Sequence, residues 1–164
     1  MKEDDFARIR ERLNGISRRD FMKFCSLMAA SMGLPLAAAP KIAAAVTAPH
    51  RPPVIWLSGQ ACTGCTESLL RPSHPSLEHL ILDLISLDYN ETLNAGAGHQ
   101  AEAALQASME KNTGKFILVI EGAIPLKDGG VYCMVAGRPF SEIVHEAAAK
   151  AAAVVAIGSC ASWG

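Results

Sequence analysis

Two cysteine-bearing turns, each directly after an apolar run, constrain this chain more than anything else in it. Cys62-Thr63-Gly64-Cys65 follows Val54-Ile55-Trp56-Leu57, and Gly158-Ser159-Cys160 follows Val154-Val155-Ala156-Ile157. Short continuous apolar runs of this kind read as strands buried on both faces. The expectation is that the two strands are parallel neighbours in one sheet. Their carboxyl ends would then bring three sulfurs to one place.

The chain between these turns alternates short apolar runs with helical patterns. Val54 to Ser58 reads as a first strand, and Cys65 to Leu70 as a helical turn stopped by Arg71-Pro72. A second turn runs from Ser76, its N-cap, to Leu82. In the next strand, Leu84 to Tyr89, apolar Ile85, Leu87 and Tyr89 alternate with polar residues. Ala101, Ala104, Leu105 and Met109 recur at helical spacing from His99 to Lys111, ending at Asn112 and Gly114. Phe116 to Ile120 is a buried strand, broken at Gly122 to Pro125. A turn at Asp128-Gly129-Gly130 precedes the short run Val131 to Val135. Ser141 is the expected N-cap of a helix to about Ala152, before the last strand, Val154 to Ile157.

Such alternation predicts an α/β fold, a parallel sheet with helices on both faces. Sites in these folds form beyond the carboxyl ends of the strands, where strand order reverses. Three loops belong there: Gly59 to Cys65, Glu121 to Pro125 and Gly158 to Gly164.

The first 45 residues have a different character. They carry eight Lys and Arg against five Asp and Glu, whereas the remainder carries seven against eleven. Ser17-Arg18-Arg19-Asp20-Phe21-Met22-Lys23 has the layout of a twin-arginine export signal. A modestly apolar segment follows, from Phe24 to Ala39, ended by Pro40-Lys41. It is shorter and less apolar than the roughly 20 residues a membrane span requires. Cleavage is expected after Ala45 or Ala48, leaving residues 46–164, behind the Pro-rich stretch Pro49 to Pro53, as one domain. That mildly acidic remainder has neither the basic stripe nor the stacking aromatics of a nucleic-acid binder.

With Cys25 inside the signal, Cys62, Cys65, Cys133 and Cys160 remain. An even number of cysteines in an exported chain is compatible with disulfides. A zinc knuckle would want a second CxxC or HxxxH, which the chain lacks. A dithiol oxidoreductase cycling Cys62 and Cys65 suits a CxxC between strand and helix, but leaves Cys160 idle. An iron-sulfur cluster uses all that is present. Gly59, Gly64 and Gly158 let the backbone approach a bulky group, and Cys65 at a helix start gains thiolate character from the partial positive charge there. Cys133 reads more readily as a small hydrophobe than as a ligand.

Three separated motifs, in order, carry a family resemblance. They are Cys62-Thr63-Gly64-Cys65-Thr66-Glu67-Ser68, Ile124-Pro125-Leu126-Lys127-Asp128-Gly129-Gly130 with Tyr132-Cys133, and Gly158-Ser159-Cys160-Ala161-Ser162-Trp163-Gly164. The chain resembles the small subunit of membrane-associated uptake [NiFe] hydrogenases. The resemblance implies a flavodoxin-like domain with Cys62, Cys65 and Cys160 as ligands of a proximal [4Fe-4S] cluster. It also implies that the fourth ligand lies beyond Gly164, that a C-terminal domain with two further iron-sulfur clusters follows, and that this is an N-terminal fragment. Gly64, where oxygen-tolerant members carry an extra cysteine, points to the standard oxygen-sensitive type.

The activity implied is H2 ⇌ 2H+ + 2e−, with the nickel-iron site in a separate large subunit and this chain carrying electrons. Implied partners are that large subunit, a membrane cytochrome b or quinone-linked acceptor, and the twin-arginine (Tat) translocase during export to the periplasmic side of the cell membrane. Glu67 is either a first-turn carboxylate complementing the helix N-terminus or a member of a proton path. Glu121, ending a buried strand, is expected beside the cluster with Gly64 and Gly158. His74 reads as a loop or interface residue, and Trp56 and Trp163 as shields against water.

Overall fold

A computed structural model of the chain describes residues 17–31, 33–47 and 51–164. They divide into two compact units, with the boundary between Arg51 and Pro52. The expected cleavage point after Ala48 and the start of the Pro49 to Pro53 stretch lie outside the described residues.

In the first unit, helix α1 (Arg18–Ser31) begins at a reciprocal cap. The Asp20 N–H donates to the Ser17 hydroxyl oxygen at 3.2 Å, and that hydroxyl donates to the Asp20 carboxylate at 2.6 Å. The paired arginines are therefore the first two helical residues. Phe21, Cys25 and Ala29, four residues apart, form the buried stripe of α1. A left-handed Gly33 and a 3-10 turn, Leu36–Ala38, lead into α2 (Ala39–Thr47). Pro40-Lys41 does not end this segment, because a proline in the first turn of a helix lacks only a donor that would be unpaired there anyway. Among the described residues, no helix is long and apolar enough to cross a membrane.

The second unit is a parallel four-stranded sheet of β1 (Pro53–Ser58), β2 (Ser86–Asn90), β3 (Ile117–Glu121) and β6 (Ala153–Ile157). Their order is β2-β1-β3-β6. A two-stranded antiparallel ribbon, β4 (Met134–Val135) with β5 (Arg138–Pro139), lies between β3 and β6 in the chain. Helices α3 (Gly64–Leu70), α4 (Leu77–His79, running into a π turn Leu80–Leu84), α5 (His99–Lys111), α6 (Phe140–Lys150) and α7 (Gly158–Trp163) complete it. This is the flavodoxin-like order, and it corrects one expectation: β1 and β6 are not neighbours, since β3 separates them. Strand order reverses between β1 and β3, so their carboxyl ends flank the switch point, with that of β6 next to β3.

Two cores follow from the alternation of strand side chains. Ile55, Leu57, Tyr89, Leu118 and Ile120 face α5 and α6, burying Leu105, Met109, Phe140, Ile143, Val144 and Ala147 among them. Val54, Trp56 and Val119 face the other way, against Leu69 and Cys65 of α3. Right-handed crossovers require this division, because the chain steps one way from β1 to β2 and the other way thereafter.

Three local expectations change. The second strand starts at Ser86 rather than Leu84, which belongs to the π turn. Its register slips by one residue between Leu87 and Tyr89, so these pack on opposite faces instead of one. Helix α6 starts at Phe140 after Pro139, placing Ser141 inside it rather than at its cap. Ser76 does cap α4, accepting from the His79 N–H at 3.2 Å.

Candidate metal centre

The loop after β1 is stitched to the loop after β3. The Gly59 N–H donates to the Glu121 carbonyl at 2.8 Å, and Gln60 and Ala123 exchange two backbone bonds at 3.0 and 3.1 Å. Two glycines allow that approach. A Cβ on Gly59 would lie 2.6 Å from both the Ala123 carbonyl oxygen and the Phe140 ring, and one on Gly122, at φ 88°, would strike the Gln60 backbone. Beyond the stitch, Thr63 adopts a left-handed φ of 65° before Gly64 opens α3. A β-branched residue in that region stores about 1–3 kcal/mol of strain, as turns at functional sites do.

Glu121 is the anchor of this loop. It is 2% exposed, and one carboxylate oxygen accepts the Cys65 N–H at 3.0 Å. The other accepts the Thr66 hydroxyl at 2.6 Å and the Trp56 indole N–H at 3.0 Å. Burial by itself raises this carboxyl's pKa, but the bonds from Thr66, Trp56 and the Cys65 and Thr66 amides prevail and hold it below its ordinary value. The sequence marked Glu121 but missed Thr66, whose full burial immediately after a cysteine has no composition signal.

Cys62, Cys65 and Cys160 are free thiols. Cys65 and the β6 turn are in contact, with the Cys65 thiol 3.7 Å from the Ile157 carbonyl. At φ 78°, Gly158 leaves open the position where a side chain would overlap that sulfur. On the other flank, a Cβ on Gly64 would lie 3.1 Å from the Cys62 sulfur. Burial pushes the Cys65 thiol up in pKa, and Glu121, Cys62 and Cys160 push the same way. The direction is opposite to the expected helix-favoured thiolate, and burial is its main cause.

Among the described residues, no three Cys, His, Asp or Glu side chains stand at the spacing of a ready-made metal site. The donor set nonetheless fits a thiophilic group. Three free thiols from two loops meet at one sheet edge, with glycines where backbone and sulfur come together. Cys133 stands apart, packed on the α5/α6 core, whereas Cys65 packs on the opposite face.

The remaining marked residues are more peripheral. Glu67 is exposed and pairs with Arg71 one turn on. His74 lies in an exposed loop before Pro75. Trp56 is buried and Trp163 is 88% exposed.

Comparison with known proteins joins these observations. A family model described as NADH ubiquinone oxidoreductase, 20 Kd subunit, matches residues 62–164. The hydrogenase-2 small chain of Escherichia coli K12 is 56% identical over 92% of this chain and 41% of its own length. The periplasmic [NiFe] hydrogenase small subunit of Solidesulfovibrio fructosivorans is 54% identical over 92% of this chain and 48% of its own. A reduced, active Ni-Fe-Se hydrogenase from Desulfomicrobium baculatum superposes with a TM-score of 0.68 at 39% identity, covering 70% of this chain and 44% of that one. The chain thus spans less than half the length of these relatives. With the sheet order, the paired cysteine turns and these matches in agreement, the chain belongs to the NADH ubiquinone oxidoreductase 20 Kd subunit family.

Proposed function

We propose that this chain is the electron-carrying part of a [NiFe] hydrogenase small subunit, with Cys62, Cys65 and Cys160 as ligands of a proximal [4Fe-4S] cluster. The observation that carries this reading is the meeting of the Cys65 thiol with the β6 turn that bears Cys160, in space kept open by Gly158. The fourth ligand comes from residues outside 1–164, as do two further iron-sulfur clusters. When bound, such a cluster takes up and releases electrons one at a time, at a potential set by charge, hydrogen bonding and burial.

The chain's own residues set those conditions. Glu121 fixes the Cys65 backbone through its N–H and places a negative charge behind it. Trp56, buried and held by the same carboxylate, excludes water from that side. Gly64 and Gly158 keep the approach free of side chains. Gly64, rather than cysteine, marks the standard oxygen-sensitive type.

The same reading assigns H2 oxidation to a nickel-iron site in a large-subunit partner, with a membrane cytochrome b or quinone-linked acceptor downstream. Glu67, on the exposed side of α3, is proposed as a member of a proton path towards that partner. Residues 1–45 serve as a twin-arginine signal read by the Tat translocase, and residues 46–164 as the cluster domain on the periplasmic side of the cell membrane. Ser17 capping a helix that starts at Arg18 fixes the backbone start of this motif.

Anaerobic purification of the complete protein, followed by iron, sulfide and EPR analysis, tests this. The expected result is a brown, reducible protein that copurifies with nickel and loses the proximal signal in Cys65→Ser and Cys160→Ser. A colourless protein in which Cys62 and Cys65 cycle between dithiol and disulfide would instead establish the oxidoreductase alternative.

A further inference from the structure

We propose that Asn90 and Ser58 hold one ordered water molecule beneath the root of the cysteine loop, a buried binding site that braces the passage from β1 into that loop. The site stands whatever the thiols hold. Asn90 ends β2 and is 3% exposed. Its side-chain oxygen accepts the Thr92 and Leu93 N–H groups at 2.9 and 3.1 Å, which fixes the orientation of the amide. The Nδ2 group on its other side is buried and finds no hydrogen-bond partner among the described residues. At the end of β1, the Ser58 hydroxyl is buried and unpartnered in the same sense. Folded proteins rarely leave such groups unsatisfied.

Sheet register puts both groups on one face. Asn90 pairs with Trp56 across β2 and β1, and Ser58, two residues beyond Trp56, projects to the same side. Ser58 in turn pairs with Glu121, whose carboxylate accepts from the Trp56 indole N–H and the Thr66 hydroxyl on the face covered by α3. An amide donor and a hydroxyl that met would bond, and these two do not. A strand spacing near 4.8 Å and two residues of rise set their backbone positions about 8 Å apart. One water, at about 2.8 Å from each side chain, spans what the side chains leave. Asn94 offers a third partner. It lies one turn after Asn90, its N–H donating to the Asn90 carbonyl at 2.9 Å, and its Nδ2 is likewise buried and unpartnered among the described residues. Three polar partners are what a buried water typically has. Ser58 directly precedes Gly59, whose N–H donates to the Glu121 carbonyl at 2.8 Å, so the water ties the end of β2 to the point where the cysteine loop leaves the sheet.

Water-selective cross-relaxation NMR of the 15N-labelled full chain tests the site. The Asn90 side-chain amide protons are expected to show contact with a long-lived water, and Ser58→Ala should abolish it. The same substitution should lower the folding equilibrium constant about fivefold, the net worth of one hydrogen bond, and speed exchange of the Gly59 amide. A hydroxyl that is simply unsatisfied predicts the opposite sign, because deleting it would leave stability unchanged or raise it. That outcome would overturn the site, as would Asn90 amide protons without water contact or a contact that survives Ser58→Ala. Should Ser58→Ala fail to fold, a crystal structure of the unaltered full chain decides, by whether one water lies within hydrogen-bonding distance of both Asn90 Nδ2 and Ser58 Oγ.

Discussion

The loop after β1 and the turn after β6 bring thiols to the same sheet edge, yet their surroundings differ sharply. Cys65 sits on a buried core, its amide held by Glu121, with Trp56 and Thr66 bonded to the same carboxylate. Cys160 follows a strand whose Val154 and Val155 are 50% and 44% exposed, and precedes Trp163, which is more exposed still. Each strand is apolar in sequence. What separates them is position, since among the described residues β1 has a paired neighbour on both sides and β6 on one. An apolar sequence buries itself only where a neighbouring element supplies the cover. The first half of the site is therefore held by fully buried side chains and a shared carboxylate, and the second half by backbone pairing to β3 and the partly buried Ile157 and Ala161.

Matched truncations test this contrast with the largest expected effect. Ile55→Ala removes a fully buried side chain from β1 and should cost about 2–5 kcal/mol in urea unfolding of the chain. Val154→Ala on β6 should cost less than about 1 kcal/mol. Equal losses would show that the two strands are equally embedded. Next, Gly158→Ala combines a left-handed φ with overlap on the Cys65 sulfur, and about 1–3 kcal/mol with weakened iron incorporation is expected. Gly137→Ala, also left-handed but facing open space, should show the strain without the iron defect.

Glu121→Gln examines the anchored half by itself. It should cost about 1–3 kcal/mol at neutral pH, because a buried carboxylate accepting three bonds is replaced by a group that cannot accept them all. The pH dependence has a definite sign. The folded-state pKa of Glu121 lies below 4.5, so its stabilisation is present above that value and is lost as pH falls through the depressed value. The Gln variant should lack this part of the acid-induced loss, as pH-dependent urea midpoints would reveal. The smallest effect concerns reactivity. In the cluster-free chain, Cys62 and Cys160 are exposed and should alkylate several-fold faster than Cys65, which is half-buried beside Glu121 with its thiol pushed up in pKa. Glu121→Gln should narrow that gap, and mass spectrometry of alkylated peptides would measure it.

The sequence was most legible where one residue does one job. Alternating patterns located all four sheet strands to within about two residues, and Ser76, Asn112 and Gly114 marked helix ends by local chemistry alone. It was least legible where an effect arises between distant segments. The slip that sends Leu87 and Tyr89 to opposite faces depends on pairing with Val54 and Ile55. Likewise, the upward push on Cys65 comes first from burial and then from Glu121, which is remote in sequence but adjacent in the fold. The exposure of Trp163 depended on what covers the edge, which no local pattern encodes.

By itself the sequence determined the alternating α/β class, the position of each thiol just past a strand, and the glycines on which close approach depends. These follow from periodicity and backbone stereochemistry, which act over a few residues. Only the tertiary structure decided that β3 lies between the two cysteine-bearing strands. That placement makes Glu121, rather than either cysteine turn, the residue linking the strands at the switch point. Strand order is a matter of which surfaces bury each other, and burial is a property of the assembled sheet rather than of any segment.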